Sequence, residues 1–521
     1  MRRAAFLLLV ARVALADGVA RYNDPLPPRA RPPLAARLGD LVRQVAAANG
    51  RPSPEWDARL EAALTELIRF LPASGPPPNE LVQSALHLQG IVEPSPHLVV
   101  VSGGAGRDDA LLAELQAKLP SVLEQGRYRR MGVAIFAPSP EAPSRILIGL
   151  QETFLALQPV SRQLPRAGSA FLDGKLLPPY AKPELFVTGP DGAVGRVEVA
   201  ALGDGRFRAP FRCGALDGRY QLEIVGEDRF GLAVLANFPI YCGAAAPSRL
   251  QAPVEPPARP WADAADAEAQ VLALVNEDRA RAGLRPLALD PALSTVARAH
   301  SADMRDHHFF GHVSPSTGNA DDRLKHAGIQ VPLVLENVGR AYSPVEAERG
   351  LMDSPGHRGN ILNPRVERAG IGVAVAQSSP GGVRDLFVTQ LFVRLAEPYR
   401  ADRAPEELRT RVDALRRDKG LAPLADDAEL DAVAREVADG IARGALPPDH
   451  AGAPVEKALA RLARYQSLRT VVARASEVAQ IGGSQALLDG TATHAGCAVA
   501  LGPTDAEGRP LILVVVLGAR R

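Results

Sequence analysis

An internal duplication constrains this chain more than any other feature. Val275–Arg298 can be laid on Val412–Arg435 without gaps, bringing Gly283-Leu284 over Gly420-Leu421, Pro286-Leu287-Ala288 over Pro423-Leu424-Ala425, and Asp290 over Asp427. About half of the aligned positions are identical, more than shared composition gives, so one fold occurs at least twice. The closing segments also correspond, Ala369-Gly370 with Ala495-Gly496 and Leu386 to Leu391 roughly with Leu511 to Val516. Gly132-Val133-Ala134-Ile135 followed by Pro138-Ser139-Pro140 echoes Gly372-Val373-Ala374-Val375 followed by Ser378-Ser379-Pro380, which points to a third, more eroded copy.

The first duplicated unit predicts its own architecture. Val271, Leu272, Leu274 and Val275 recur at helical spacing until Gly283. A second helix starts with Asp290 as N-cap and Pro291 at the first helical position, where a missing N–H costs nothing. Its apolar stripe runs Leu293, Val296, Ala297, His300 and Met304, and strand-like runs follow at Ile371 to Ala376 and Leu386 to Val393. Helices first and antiparallel strands last give an α+β unit.

At about 150 residues per domain, 521 residues hold three or four cores. Residues 1–16 read as an export signal: Arg2 and Arg3, an apolar run from Ala4 to Val10, then Ala14-Leu15-Ala16 as a small-x-small cleavage site. A Pro-rich leader (17–34) precedes an N-terminal α+β domain (35–160). Short alternating runs separated by turn signals such as Pro190-Asp191-Gly192 make 164–243 an immunoglobulin-like β-sandwich. A Pro-rich linker (244–262) leads to the two duplicated units, 263–397 and 402–521.

Sixty Lys and Arg against 59 Asp and Glu leave a formal charge of +1, which argues against nucleic acid or an anionic membrane as partner. No transmembrane segment is expected, since no stretch beyond the leader approaches the roughly 20 apolar residues of a membrane span. A secreted or periplasmic location follows. Cys213 and Cys242 suit an intradomain disulfide in such a compartment, or a pair of reduced core thiols, and Cys497 reads as a packing residue.

Residues of catalytic or ligating type concentrate in the central copy, in His307-His308-Phe309-Phe310-Gly311-His312-Val313-Ser314-Pro315, Glu336-Asn337-Val338, and Ser354-Pro355-Gly356-His357-Arg358-Gly359-Asn360-Ile361-Leu362-Asn363-Pro364. This series resembles the bacterial, SCP-like branch of the CAP superfamily (cysteine-rich secretory proteins, antigen 5, pathogenesis-related class 1). The resemblance implies a secreted protein with an α-β-α sandwich and a groove that, in the eukaryotic branch, holds two His and two Glu. His312 corresponds to the first His and Glu336 to the Glu of Gly-Glu-Asn, with Leu335 in place of the Gly. Asp353 and Ser354 stand near the second Glu, and Phe387 replaces the second His before Thr389-Gln390, a gap that His357 is placed to fill. The C-terminal segment then reads as a degenerate CAP-like copy, with His450 where His312 is but no Glu-Asn or Ser-Pro-Gly-His-Arg, and the N-terminal domain as a further degenerate copy.

Two imidazoles and a carboxylate in one groove suit zinc with an open fourth position, or a general base with an orienting acid. His312, His357 and Glu336 are the candidates. No Gly-x-Ser-x-Gly elbow, Cys–His pair or His-Glu-x-x-His helix is present, so the balance leans away from an enzyme. His300, matched by Val437 in the second copy, reads as a buried structural histidine, while His307 and His308 suit a helix end. Glu336-Asn337 either faces the groove or bonds loop backbone, and Arg358, Asn360 and Asn363 tie down a loop. The leading expectation is a binding protein whose groove engages a lipophilic molecule, an envelope component such as a lipid or glycan, or a partner protein. The alternatives are a metal-assisted hydrolase using His312, His357 and Glu336, and a structural or adhesive array.

Overall fold

The computed structural model describes residues 20–27, 30–72, 75–103, 108–137, 144–250, 259–378, 383–395, 399–503 and 510–520. The export signal, the Pro138-Ser139-Pro140 and Ser379-Pro380 matches, and residues 251–258 of the linker lie outside these. Among the described residues no helix is long and apolar enough to cross a membrane.

The N-terminal unit contains α1 (Pro33–Ala48), β1 (Glu55–Trp56), α2 (Ala58–Leu67), α3 (Asn79–Leu88), β2 (His97–Gly103), α4 (Asp108–Glu124), β3 (Arg130–Phe136) and β4 (Ser144–Gln151). Its sheet has the order β1-β3-β4-β2, with β1 parallel to β3 and the other pairs antiparallel. One apolar cluster joins α1 and α4 to one face and another joins α2 and α3 to the opposite face, giving three layers.

The β-sandwich pairs one sheet with another. Its strands are β5 (Leu155–Leu157), β6 (Gln163–Leu164), β7 (Ser169–Leu176), β8 (Ala181–Thr188), β9 (Val194–Val197), β10 (Ala200–Gly203), β11 (Arg206–Arg212), β12 (Gly218–Asp228) and β13 (Gly231–Cys242). The sheets run β9-β8-β12-β13-β6 and β10-β11-β7-β5, enclosing Phe207, Leu222 and Phe238. Cys213 and Cys242 are disulfide-bonded, with Cα atoms 5.8 Å apart. Part of the leader belongs to this core rather than forming a free Pro-rich arm: Tyr22 is fully buried, packs edge-on against Phe238, and donates its hydroxyl to the Pro239 carbonyl at 2.6 Å.

The central unit repeats the three-layer design with α5 (Ala264–Arg281), β14 (Ala288–Leu289), α6 (Pro291–Asp306), α7 (Ala320–His326), β15 (Leu333–Ala341), α8 (Pro344–Asp353), α9 (Pro355–Ile361), β16 (Arg368–Ser378) and β17 (Val383–Arg394). The C-terminal unit has α10 (Ala404–Arg417), β18 (Ala425–Asp426), α11 (Ala428–Ala442), α12 (Gly452–Arg461), β19 (Tyr465–Ala475), β20 (His494–Leu501) and β21 (Leu511–Arg520). The sheet orders β14-β16-β17-β15 and β18-β20-β21-β19 have the same strand directions as the N-terminal sheet.

Local chemistry explains why one topology recurs. In each unit an Asp ends the short parallel strand and caps the next helix: Asp57, Asp290 and Asp427 accept from the N–H groups two and three residues on. That helix then presses onto the neighbouring strand where the strand has glycine. A Cβ at Gly370 would stand 2.4 Å from the Leu293 backbone, and one at Gly496 would stand 2.0 Å from the Leu430 backbone. Gly132 meets Glu61 in the same way at 2.8 Å.

These contacts correct the sequence alignment of the N-terminal unit. Trp56 pairs with Met131 and Leu289 with Ala369, so Gly132 occupies the place of Gly370, not Gly372. A slip of two residues keeps every side chain on its own side of the pleat, which is why the shifted match looked consistent.

A buried arginine staples each duplicated unit. Arg279 donates to the carbonyls of Arg285, Ile361 and Asn363, and Arg416 to those of Ala422, Leu487 and Asp489. Both side chains are almost fully buried with carbonyl partners, which the sequence pattern alone did not single out.

Candidate functional site

The groove residues of the central unit gather where β15 begins and α6 ends. Successive strand residues face opposite ways, so Glu336 and its neighbour Asn337 serve different surroundings. Glu336 receives His312 Nδ1 at 3.0 Å on one carboxylate oxygen and the Arg323 guanidinium on the other. Arg323 also donates to the carbonyls of Gly318 at 2.6 Å and His312 at 3.2 Å, fixing the loop that carries the histidine. Burial pushes the Glu336 carboxyl up, but the His312 hydrogen bond and the Arg323 charge outweigh it and hold it below its ordinary value.

Asn337 points into the protein and is fully buried. Its amide donates to the carbonyl of His357 at 3.2 Å and to Gln390 at 3.0 Å, and Gln390 donates to Glu348 at 2.6 Å. Asn360 donates to the Glu336 carbonyl and to Asn337, Arg358 reaches the Gly192 carbonyl of the sandwich at 3.2 Å, and Asn363 accepts from the Arg365 N–H. Burial raises Glu348 to about 8, so it sits in this network as a neutral acid.

His300 lies in the core of α6, its Nε2 3.0 Å from the Gly311 carbonyl and its ring tilted against Phe309. His307 pairs with Asp303 at the exposed helix end. His357 stacks obliquely near His312, with ring centroids 6.3 Å apart, and its Nδ1 is 2.7 Å from Ser354 Oγ. Burial, reinforced by the neighbouring His312, drives His357 down to about 3, so it is a neutral imidazole.

The sandwich packs against this groove. Glu223 of β12 accepts from the Ser354 hydroxyl and from the Gly356 N–H at 2.9 Å, while Arg219 pairs with Asp353 at 2.9 Å. The turn between β12 and β13 carries Phe230 onto Phe309, with centroids 5.6 Å apart, and the Phe230 carbonyl accepts from the Val313 N–H at 2.9 Å. Gly231, at a φ of 96°, and Gly311 make the fit possible. A Cβ on Gly311 would stand 2.6 Å from the Phe230 oxygen.

Phe230 joins a small apolar cluster of Met304, Phe309, Val338 and Phe387. Phe387, at the place of the family's second His, therefore supplies packing. Burial raises Glu223 to about 7 against the lowering effect of its two hydrogen bonds.

Ser354, His357 and Glu223 do not form a nucleophile–base–acid relay. In such a relay the acid orients the far nitrogen of the histidine, whereas Glu223 holds the serine hydroxyl, which is itself buried. Nor do the residues fit zinc. Glu336 spends both oxygens on His312 and Arg323, Asp353 is drawn to Arg219, and His357 faces Ser354. Among the described residues no group of three or more His, Cys, Asp or Glu is arranged to hold a metal ion.

The sequence reading placed Ser354 near the groove but missed Arg323, Glu223 and Phe230 as parts of this arrangement. Gln221 and Glu223 alternate with Leu222 and Ile224, the pattern of a solvent-facing strand side, yet that side is covered by α9. In the C-terminal unit His450 is exposed beside Asp449 and meets no comparable carboxylate–arginine pair.

A family model described as the cysteine-rich secretory protein family, CAP, matches residues 272–392. The Bacillus subtilis protein YkwD is 42% identical over 106 residues, 20% of this chain and 41% of YkwD. The Bacillus subtilis membrane protein YlbC is 37% identical over 109 residues, 20% of this chain and 31% of its own length. The chain thus spans well under half of these curated relatives.

Among solved structures, an extracellular SCP-domain protein of Bacillus anthracis aligns with a TM-score of 0.23 at 22% identity, over 43% of this chain and 77% of that one. An outer surface protein of Borrelia burgdorferi aligns with a TM-score of 0.23 at 18% identity, over 26% of this chain and 96% of that one. The central unit, over residues 272–392, thus carries a CAP domain similar to that of these bacterial proteins.

Proposed function

We propose that this is an exported, non-enzymatic binding protein for an envelope component or a partner protein, in which the CAP groove is the socket that holds the sandwich. The flanking three-layer units are, in this reading, degenerate copies of the CAP fold that have kept the scaffold without the groove. The observation that carries it is the seat of Phe230 in the cluster around Phe387, with Glu223 bonded to the start of α9. Export is supported by the leader sequence and by the Cys213–Cys242 disulfide, a bond that persists in oxidising compartments.

Histidine accessibility tests the socket. Diethylpyrocarbonate labelling of the full chain, read by mass spectrometry, should modify exposed His307 and spare His357. In Glu223→Arg, which removes the acceptor for Ser354 and Gly356 beside it, His357 should become reactive. Equal labelling of His307 and His357 in the unaltered protein refutes the socket.

Phe310, 47% exposed beside His312, favours a second reading, in which a lipophilic ligand displaces Phe230 from the groove. That reading requires fatty acid or lipid vesicles to raise His357 labelling in the unaltered protein.

A further inference from the structure

The docking of the sandwich onto the CAP unit creates a second concave surface, away from His312. A cleft of about 820 Å³ opens where α3 of the N-terminal unit and α8 of the CAP unit meet over the end of β13. Its volume lies in the range that buries a small ligand, and junctions between domains are where such sites occur.

Four guanidinium groups gather in the cleft. Arg162, Arg219, Arg249 and Arg349 line it together with Glu80, Glu346 and Asp353, which leaves one positive charge in excess within the cleft. Arg219 keeps nearly half of its side chain exposed while paired with Asp353, and Arg162 is fixed by donating to the Pro247 carbonyl at 3.0 Å. The charges of Arg162 and Arg219 both act on Tyr241 and on His87, so they converge on one place. His87 is itself held neutral, chiefly by burial, and does not add to the positive field.

The remaining lining is aromatic and hydroxyl- or amide-bearing. Tyr342 is 42% exposed, Tyr241 is half-buried, and Asn79, Gln83 and Ser343 border the space. Guanidinium groups bind carboxylates bidentately, aromatic rings stack on flat apolar faces, and amides and hydroxyls exchange hydrogen bonds with hydroxyls. The floor offers no strand edge for a peptide backbone, because at Tyr241 the β13 strand is paired to Arg219 on one side and Gln163 on the other.

We propose that this cleft is a binding site for an acidic oligosaccharide, its carboxylates held by the arginines and its rings by Tyr241 and Tyr342. The site is distinct from the CAP groove, so its fate does not depend on whether the groove admits a ligand.

Calorimetric titration of the full chain with trigalacturonate tests it, with maltotriose as the uncharged and tetraglutamate as the peptidic comparison. Trigalacturonate should bind saturably and in preference to both. Arg249→Ala and Tyr342→Ala, both at exposed positions, should each weaken it about tenfold, the scale of one charge-assisted hydrogen bond or ring contact. Arg206→Ala, at an exposed position of the sandwich, should leave binding unchanged. Absence of binding, equal binding of maltotriose, preference for tetraglutamate, or indifference to both cleft variants with unchanged melting temperatures would each overturn the proposal.

Discussion

Replacing Glu223 with glutamine should remove a pH dependence that the junction between sandwich and CAP unit otherwise carries. The Glu223 carboxyl is buried against Ser354 and Gly356, with like-charged Asp353 nearby, and burial raises it from 4.5 to about 7. A group whose folded-state value is raised stabilises the docked state fully below about pH 4.5 and loses that contribution as pH climbs to about 7, where the loss reaches its ceiling. At 1.36 kcal/mol per pH unit, the rise from 4.5 to about 7 corresponds to about 3 kcal/mol.

Glutamine mimics the protonated acid. Its oxygen can accept from Gly356 and its amide can donate to Ser354, so Glu223→Gln should match the unaltered protein near pH 4.5 and exceed it by up to about 3 kcal/mol at pH 8. Several domains unfold in this chain, so a single melting temperature mixes transitions. Hydrogen exchange at the α9 amides across the pH range reads the junction directly. Glu348, raised to about 8 by burial, gives a slope of the same sign and is removed in parallel with Glu348→Gln. Superimposable pH profiles for the unaltered protein and Glu223→Gln would refute a neutral carboxyl at the junction.

Arg416→Ala should cost the C-terminal unit about 3 kcal/mol, since it leaves buried carbonyls without donors, and denaturant unfolding followed by exchange in α10 measures it. Gly372→Ala should cost more than about 3 kcal/mol or prevent folding, because its Cβ would stand 2.1 Å from the Arg298 nitrogen; circular dichroism and soluble yield report this. Reduction, or Cys213→Ser with Cys242→Ser, should destabilise the sandwich by about 3 to 4 kcal/mol, on the chain-entropy estimate for a separation of 29 residues. Scanning calorimetry with and without reductant checks the last.

The helices and strands of the duplicated units were legible because their signals are local. Asp290 followed by Pro291 marks a helix start wherever it occurs, and the Ala369-Gly370 and Ala495-Gly496 matches mark strands that a helix must approach closely. The N-terminal register was legible only to within two residues, since alternation is blind to an even slip. The partners of Glu223 and Phe230 were not legible. An alternating strand reports which face is polar but not that another domain will bury it, and a hairpin phenylalanine looks the same in solvent as in a socket. Phe387 stood out as a departure from the family, while its companions Met304, Phe309 and Val338 emerge only from the packing.

The capping aspartate, the strand glycine and the stapling arginine have a consequence for how such a protein changes over generations. These residues hold each duplicated unit together, and none of them is a groove residue. Foldability and groove chemistry are therefore separable traits: drift in the His and Glu positions leaves a sound scaffold behind. A gene that duplicates this unit acquires spare bodies whose surfaces are free to be retailored, and the C-terminal unit, intact without the Glu336–Arg323 pair, has the form such a spare would take.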